Sequence, residues 1–244
     1  MNTQNQTKTV ASKKSIALSK ADKPRQRLSS AVREKQIIEG AISYFSEVGF
    51  SGQTRELSNR LGITQPLLYR YFSSKKALIE QVYQTVFERR WNPEWLALLR
   101  DRSIPFRDRL IEFYRQYSEA TYRPEWIRIY MHAGLSDPTL NQRYIELIRR
   151  ELMPVYCREL RHACGIVSNN KSIAEEEIEF VWSLHGGIFY MAMRQHVYGA
   201  QINVEFLPHV ALVVENFLTG AKLTYPKLLA SIPNAKALSK KASA

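Results

Sequence analysis

The sequence predicts an all-α fold of about nine helices, and three observations predict it. Apolar residues recur at spacings of three and four along most of the 244 residues, the period of a helix with one buried face. Strand alternation and hairpin turn signals are absent. A tight turn at Gly62 separates two short apolar-patterned segments within residues 52–79, the layout of a helix-turn-helix. The expected organisation is a polar N-terminal arm (1–28), a three-helix N-terminal domain around that turn (29–77), a helical C-terminal domain (78–228) and a C-terminal tail (229–244).

The arm carries Lys8, Lys13, Lys14, Lys20, Lys23, Arg25 and Arg27 against Asp22, and it lacks the apolar run of a secretory signal. Its composition predicts disorder. The first helix is amphipathic and ends in FSEVGF (Phe45–Phe50). In the second, Leu57 and Leu61 lie four apart on one face, and Gly62 follows where a helix end needs the left-handed conformation. Ile63 plugs the turn. Thr64 is a good N-cap for the third helix, and Gln65 and Pro66 fill its first turn, where a missing N–H costs little. Leu68 and Phe72 then face inward, while Tyr69 and Tyr71 face away. Ser73 is expected to cap the fourth helix, which starts near Ser74, buries Leu78, Val82 and Val86, and stops before Asn92-Pro93.

A short segment at Trp95–Leu99 follows. Pro105 opens a helix with Phe106, Leu110, Phe113 and Tyr117 on one stripe; Pro124 opens another with Trp126, Ile127 and Tyr130, closed by Gly134. Asp137-Pro138 starts a long helix (Leu140, Tyr144, Leu147) that should kink or stop at Pro154. Residues 169–172 read as a loop, with Ser172 and Glu175 as a capping box for a helix reaching about Tyr198. Past Ile178 that helix is apolar over most of its circumference, which predicts burial on all sides. Asn203 caps the last main helix, with Phe206, Val210, Val213, Val214 and Phe217 inward and Gly220 at its end.

The third helix carries the chemistry. Gln65 can hydrogen-bond an adenine edge, Leu67 can touch a thymine methyl, and the hydroxyls of Tyr69 and Tyr71 can reach phosphate oxygens. The basic pair Lys75-Lys76 follows at the head of the fourth helix. An outward set of this kind on the second helix of a helix-turn-helix points to the major groove of double-stranded DNA. Charge agrees: residues 1–90 hold 16 Lys/Arg against 7 Asp/Glu, whereas 91–244 hold 19 against 16. A basic end attracts polyphosphate, although RNA and acidic membranes share that chemistry. The arm either reaches phosphates or a minor groove, or is a tail with no partner.

On these residues the stretch from Arg33 to Val82 resembles the DNA-binding domain of TetR/AcrR-family transcriptional regulators, through FSEVGF, RELSNRLGIT (Arg55–Thr64) and LLYRYFSSKKALI (Leu67–Ile79). The resemblance implies phosphate contacts from Tyr69, Tyr71 and Lys75 and base reading by Gln65, Pro66 and Leu67. Thr54 and Arg55, at the head of the second helix, complete the expected DNA-binding set. The family often has Thr just before this helix, where the chain has Gln53-Thr54, and Ala where Ser58 stands. The resemblance also implies a homodimer formed through the last two long helices, matching a palindromic operator, and a small organic effector, in most members one that releases a repressor.

The middle helices supply candidates for the effector site: Trp95, Phe113, Tyr117, Trp126, Tyr130, His132, Trp182, His185 and Phe189. Aromatics at helical spacing are equally the material of a filled core, so an architectural DNA binder without an effector is the alternative. The five histidines show no metal-ligand spacing, and Cys157 and Cys164, seven apart, suit neither a zinc pair nor a disulfide framework. A reducing cytoplasm fits. No phosphate-binding loop, dinucleotide fingerprint or nucleophile elbow is present, so neither a cofactor nor catalysis is expected, and a DNA-acting enzyme such as a recombinase is the remote alternative. The longest uncharged run, Phe180–Met193, is 14 residues, short of a bilayer span.

Overall fold

The computed structural model describes residues 29–166 and 172–232, and every regular element among them is helical. Expectations for the arm, for residues 169–171 and for most of the tail lie outside these residues. Helix α1 (Ser30–Val48) starts at Ser29, whose hydroxyl accepts from the Val32 N–H at 3.3 Å, and buries Ile37, Ile38, Ala41, Tyr44 and Phe45. Helices α2 (Thr54–Arg60) and α3 (Gln65–Tyr71) meet at a turn in which Gly62 has φ +62°. There the Gly62 N–H bonds the Asn59 carbonyl at 3.1 Å and the Ile63 N–H bonds that of Ser58 at 3.0 Å. This paired closure satisfies the last carbonyls of α2 and needs a residue at ease with positive φ. Leu57, Leu68 and Phe72 are buried beneath it, each worth roughly 2 kcal/mol of apolar burial.

Helix α4 (Lys75–Val86) leads through a 3₁₀ turn (Glu88–Arg90) into α5 (Glu94–Arg100), α6 (Phe106–Thr121) and α7 (Pro124–Ser136). Ser74, not Ser73, caps α4, accepting from the Ala77 N–H at 3.1 Å. Next, α8 (Thr139–Leu147) passes through a π turn (Ile148–Leu152) into α9 (Met153–Ala163). Pro154 therefore neither stops nor ends the helix. The widened turn just before it absorbs the missing N–H and the ring, so Pro154 lies in the first turn of a fresh α-helical run.

Helix α10 (Glu175–His196) opens two residues later than a Ser172–Glu175 box requires. Its cap is the Glu177 carboxylate, which accepts from the Ala174 N–H at 3.0 Å. Glu177 is buried and also takes hydrogen bonds from Arg161 Nε at 2.8 Å and the Tyr225 hydroxyl at 2.7 Å, and this tertiary site sets where the helix begins. Helix α11 (Phe206–Ser231) has Glu205 rather than Asn203 at its cap position and runs past Gly220, because Ala221 and Tyr225 are buried beyond it. It packs on α6 and α10, while α1 packs along α7 and α4. No helix among the described residues is long and apolar enough to cross a membrane.

Candidate nucleic-acid interface

The sequence of α3 makes it a helix held on one side and open on the other. The Thr64 hydroxyl caps it by accepting from the Leu67 N–H at 3.3 Å, and Leu68 (1% exposed) and Phe72 (4%) anchor it. Pro66, Tyr69 and Arg70 are exposed, and Gln65, Leu67, Tyr71 and Lys75 are half-buried. The expected outward set therefore forms the open edge of α3, with Tyr71 also packed on the core, and the first turn of α4 follows with Lys75, its Ala77 N–H taken by Ser74. Arg70 is the residue that sequence reasoning missed. Its signal was only a basic side chain beside Tyr69, and helix phase puts it on the open side.

Arg55 is exposed at the head of α2, as expected. Thr54 departs from expectation: it is 8% exposed, and its hydroxyl lies 3.0 Å from Gln65 Nε2 and 3.0 Å from the Tyr69 hydroxyl. The side chain points under α3 because the head of α2 packs against it, so Thr54 touches the outward residues from within. Glu47 and Glu56 are engaged elsewhere. Tyr44 donates to Glu56 at 3.0 Å, and Arg60 bridges Glu56 and Glu47. An open cleft of about 370 Å³ flanks α3, lined by Glu34, Tyr69, Arg70, Tyr71, Ser73 and Gln81 among others.

Behind this edge lies the aromatic core of the C-terminal domain. Trp95 meets Phe113 (5.9 Å between ring centroids) and Tyr117 (5.2 Å); Tyr117 meets His185 (5.3 Å) and Tyr122 (5.6 Å); Tyr122 reaches Phe189 (6.0 Å), which packs on Tyr130 (5.6 Å) and Trp126 (6.3 Å). Trp182 meets this network at His185. His132 stands apart, packed against Gly49 at the end of α1. Tyr144, unmarked in the sequence as a site residue, shares a 2.7 Å hydrogen bond with the Tyr117 hydroxyl. Burial pushes the His185 imidazole down to about 4, so it is neutral in the fold. The indole N–H of Trp126 and the hydroxyl of Tyr122 are buried without a hydrogen-bond partner among the described residues.

Besides the packing of α1 on α7, side chains tie α4 to α8. Arg143 pairs with Glu80 at 2.9 Å and with Glu88, and its guanidinium lies 4.4 Å over the Tyr83 ring. The Arg143 hydrogen bond holds the Glu80 carboxyl below its ordinary value. Tyr83 stacks on Phe87, which in turn touches Trp126, Tyr130 and Tyr144. Aromatic contact is thus continuous from the core to α4.

Residues 37–82 match the family model of bacterial regulatory proteins of the tetR family. A class A tetracycline repressor protein, from transposon 1721 in Escherichia coli, is 31% identical over 85 residues, 32% of this chain and 39% of that protein. A class D tetracycline repressor protein from Escherichia coli is 28% identical over 90 residues, 34% of this chain and 41% of that protein. These matches span less than half the length of either relative. The fold extends the likeness. A TetR-like transcriptional regulator from Rhodococcus sp. RHA1 superposes with a TM-score of 0.57 at 20% identity, over 80% of this chain and 100% of that one. A TetR-family transcriptional regulator from Streptomyces coelicolor gives 0.56 at 17%, over 88% and 97%. The family model thus covers the helices from α1 to α4, and the described helices as a whole follow the fold of such regulators.

Proposed function

We propose that the chain is a ligand-responsive transcriptional regulator: a cytoplasmic repressor that holds a palindromic operator as a homodimer and leaves it when a small lipophilic or aromatic effector enters the C-terminal core. The observation that carries DNA binding is the edge of α3, where Gln65, Pro66, Leu67, Tyr69, Arg70 and Tyr71 stand beside Lys75 in the first turn of α4. Gln65, Pro66 and Leu67 read bases; Tyr69, Tyr71 and Lys75 grip phosphates, and Arg55 reaches the same groove from α2. The test is a mobility shift at low ionic strength with the DNA upstream of the chain's own gene, against a scrambled duplex of equal length. The proposal expects binding to the first that persists at salt concentrations where the second is released. Equal binding to both overturns it.

The effector site is supported by the neutral aromatic core and by the two unpartnered donors within it, Trp126 Nε1 and the Tyr122 hydroxyl. Trp95, Phe113, Tyr117, Tyr130, His185 and Phe189 form its walls, with Trp182 at the margin. His132 belongs to the junction with α1. One observation favours a second reading, an architectural binder without effector: Phe113, Tyr117 and Trp126 are each at most 1% exposed and fill one another's space. A thermal-shift screen with cationic dyes, fatty acyl conjugates and aromatic acids separates the two. A compound that raises the midpoint and releases DNA supports the regulator.

A further inference from the structure

We propose that Thr54 is a positioning residue for base reading: its buried hydroxyl links the phosphate grip of Tyr69 to the orientation of the Gln65 amide. The proposal rests on the DNA-binding reading above. Thr54 opens α2, while Gln65 and Tyr69 lie at the first and fifth positions of α3, so the three meet only because the turn at Gly62 folds one helix over the other. Both contacts measure 3.0 Å, and the Thr54 side chain is closed to solvent while the Tyr69 ring is 40% exposed.

The proton inventory decides what this triad does. A threonine hydroxyl has one hydrogen and two lone pairs, and an amide nitrogen only donates. With Gln65 Nε2 facing Thr54, the Thr54 oxygen accepts from Gln65; either hydroxyl of the Thr54–Tyr69 pair can donate, and the proposal takes the direction in which the Thr54 hydrogen goes to the Tyr69 oxygen. The phenol hydrogen is then free for a phosphate oxygen. All three bonds run one way, amide to hydroxyl to phenol to phosphate, and each polarises the next. Were the amide turned over, Thr54 would spend its hydrogen on Gln65 Oε1 and take that of Tyr69, leaving the phenol nothing to donate. A phosphate on Tyr69 therefore selects one orientation of Gln65, the one that leaves Oε1 and the second N–H outward. Those two groups match the N6–H and N7 of adenine.

The test uses the full-length chain, duplexes that it enriches from a randomised library, and every single-base-pair variant of them, titrated across salt. Thr54→Val should lose roughly tenfold discrimination at the one position that Gln65→Ala also erases, with the salt slope unchanged. Thr54→Ser should keep the wild-type preference. In a Gln65→Ala background, Thr54→Val should change nothing further, since the coupling runs through that amide. A Thr54→Val chain that weakens every duplex equally and lowers the salt slope overturns the proposal in favour of a direct phosphate contact. Unchanged preference, or a change that persists without Gln65, overturns it too. If Thr54→Val does not fold, Tyr69→Phe carries the test: it should lower the salt slope and loosen the same base position, and loss of slope alone refutes the link. A wild-type chain that enriches no sequence brings down the regulator reading, and this inference with it.

Discussion

Gly62 holds φ +62° with open space where a Cβ would stand, so an alanine there meets no clash and bears only the backbone cost of the left-handed conformation. Gly62→Ala should lower unfolding free energy by about 1 kcal/mol, read as a lower urea midpoint with an unchanged slope. In the proposed function Lys75 and Tyr71 act through phosphates. Lys75→Ala should weaken binding to all duplexes alike and reduce the salt slope by about 1, measured by anisotropy titrations at several ionic strengths; a loss confined to one sequence would contradict that role. His185 sets a pH dependence. Its pKa falls from 6.5 to about 4 on burial, so the unfolded chain binds the proton that the fold excludes. The stabilisation is complete above 6.5 and is lost as pH falls towards 4, on the order of 3 kcal/mol in all. His185→Phe should flatten that part of a stability-versus-pH curve measured by denaturant melts. Glu159 adds a later acid step. Burial raises its carboxyl, but hydrogen bonds from Arg102 and Arg109 outweigh this and hold it below the usual range, so its contribution disappears only as pH falls through that lowered value.

At the scale of elements, α3 and α4 followed from local signals because their caps are local, whereas α2 has no side-chain cap. Thr64 bonds a group three residues on, and Ser74 does the same one position from the expected Ser73. Helices α10 and α11 were less legible, since their limits depend on partners far away in sequence. The start of α10 is set by Glu177 answering Arg161 and Tyr225, and α11 continues past Gly220 because Tyr225 closes that same site. The π turn before Pro154 shows the same effect: burial of Ile148, Leu152 and Met153 before it and of Val155 and Tyr156 after it keeps the chain helical where proline alone would break it. The clamp on α4 supports a prediction at this scale. The Arg143–Glu80 and Arg143–Glu88 pairs are about two-fifths exposed, so Arg143→Met should change global stability by less than about 1 kcal/mol. It should nonetheless speed amide exchange along α4, because α4 loses its tie to α8. Unaltered exchange there would mean that packing of α1 alone holds α4.

The whole chain presents an apolar surface on the two long helices through which the resemblance implies a homodimer. Tyr190 (51% exposed) on α10 and Leu212 (67%) and Leu223 (69%) on α11 face solvent, beside Gly187 and Gly220 with no heavy atom within 4 Å of an added Cβ. Apolar side chains next to glycines suit close approach by another helix pair, and a twofold copy supplies one. Leu212→Glu with Leu223→Glu should give a monomer in sedimentation equilibrium and reduce operator affinity far more than affinity for a half-site. A monomeric wild type would remove this argument.

The sequence by itself determined the helical class, the turn at Gly62, the Thr64 cap and the outward residues of α3, since each follows from contacts within a few residues. It also named part of the aromatic core, from Trp95 to Phe189, because apolar spacing reports which face is buried, but it passed over Tyr83, Phe87, Tyr122, Tyr156 and Tyr225. Only the tertiary structure decided what those residues meet. It placed Thr54 beneath Gln65 and Tyr69, moved His132 to the end of α1, joined Tyr144 to Tyr117, and left one side of α10 uncovered. Periodicity specifies a direction from a helix axis, whereas a partner across the fold depends on how whole helices pack, which no local pattern encodes.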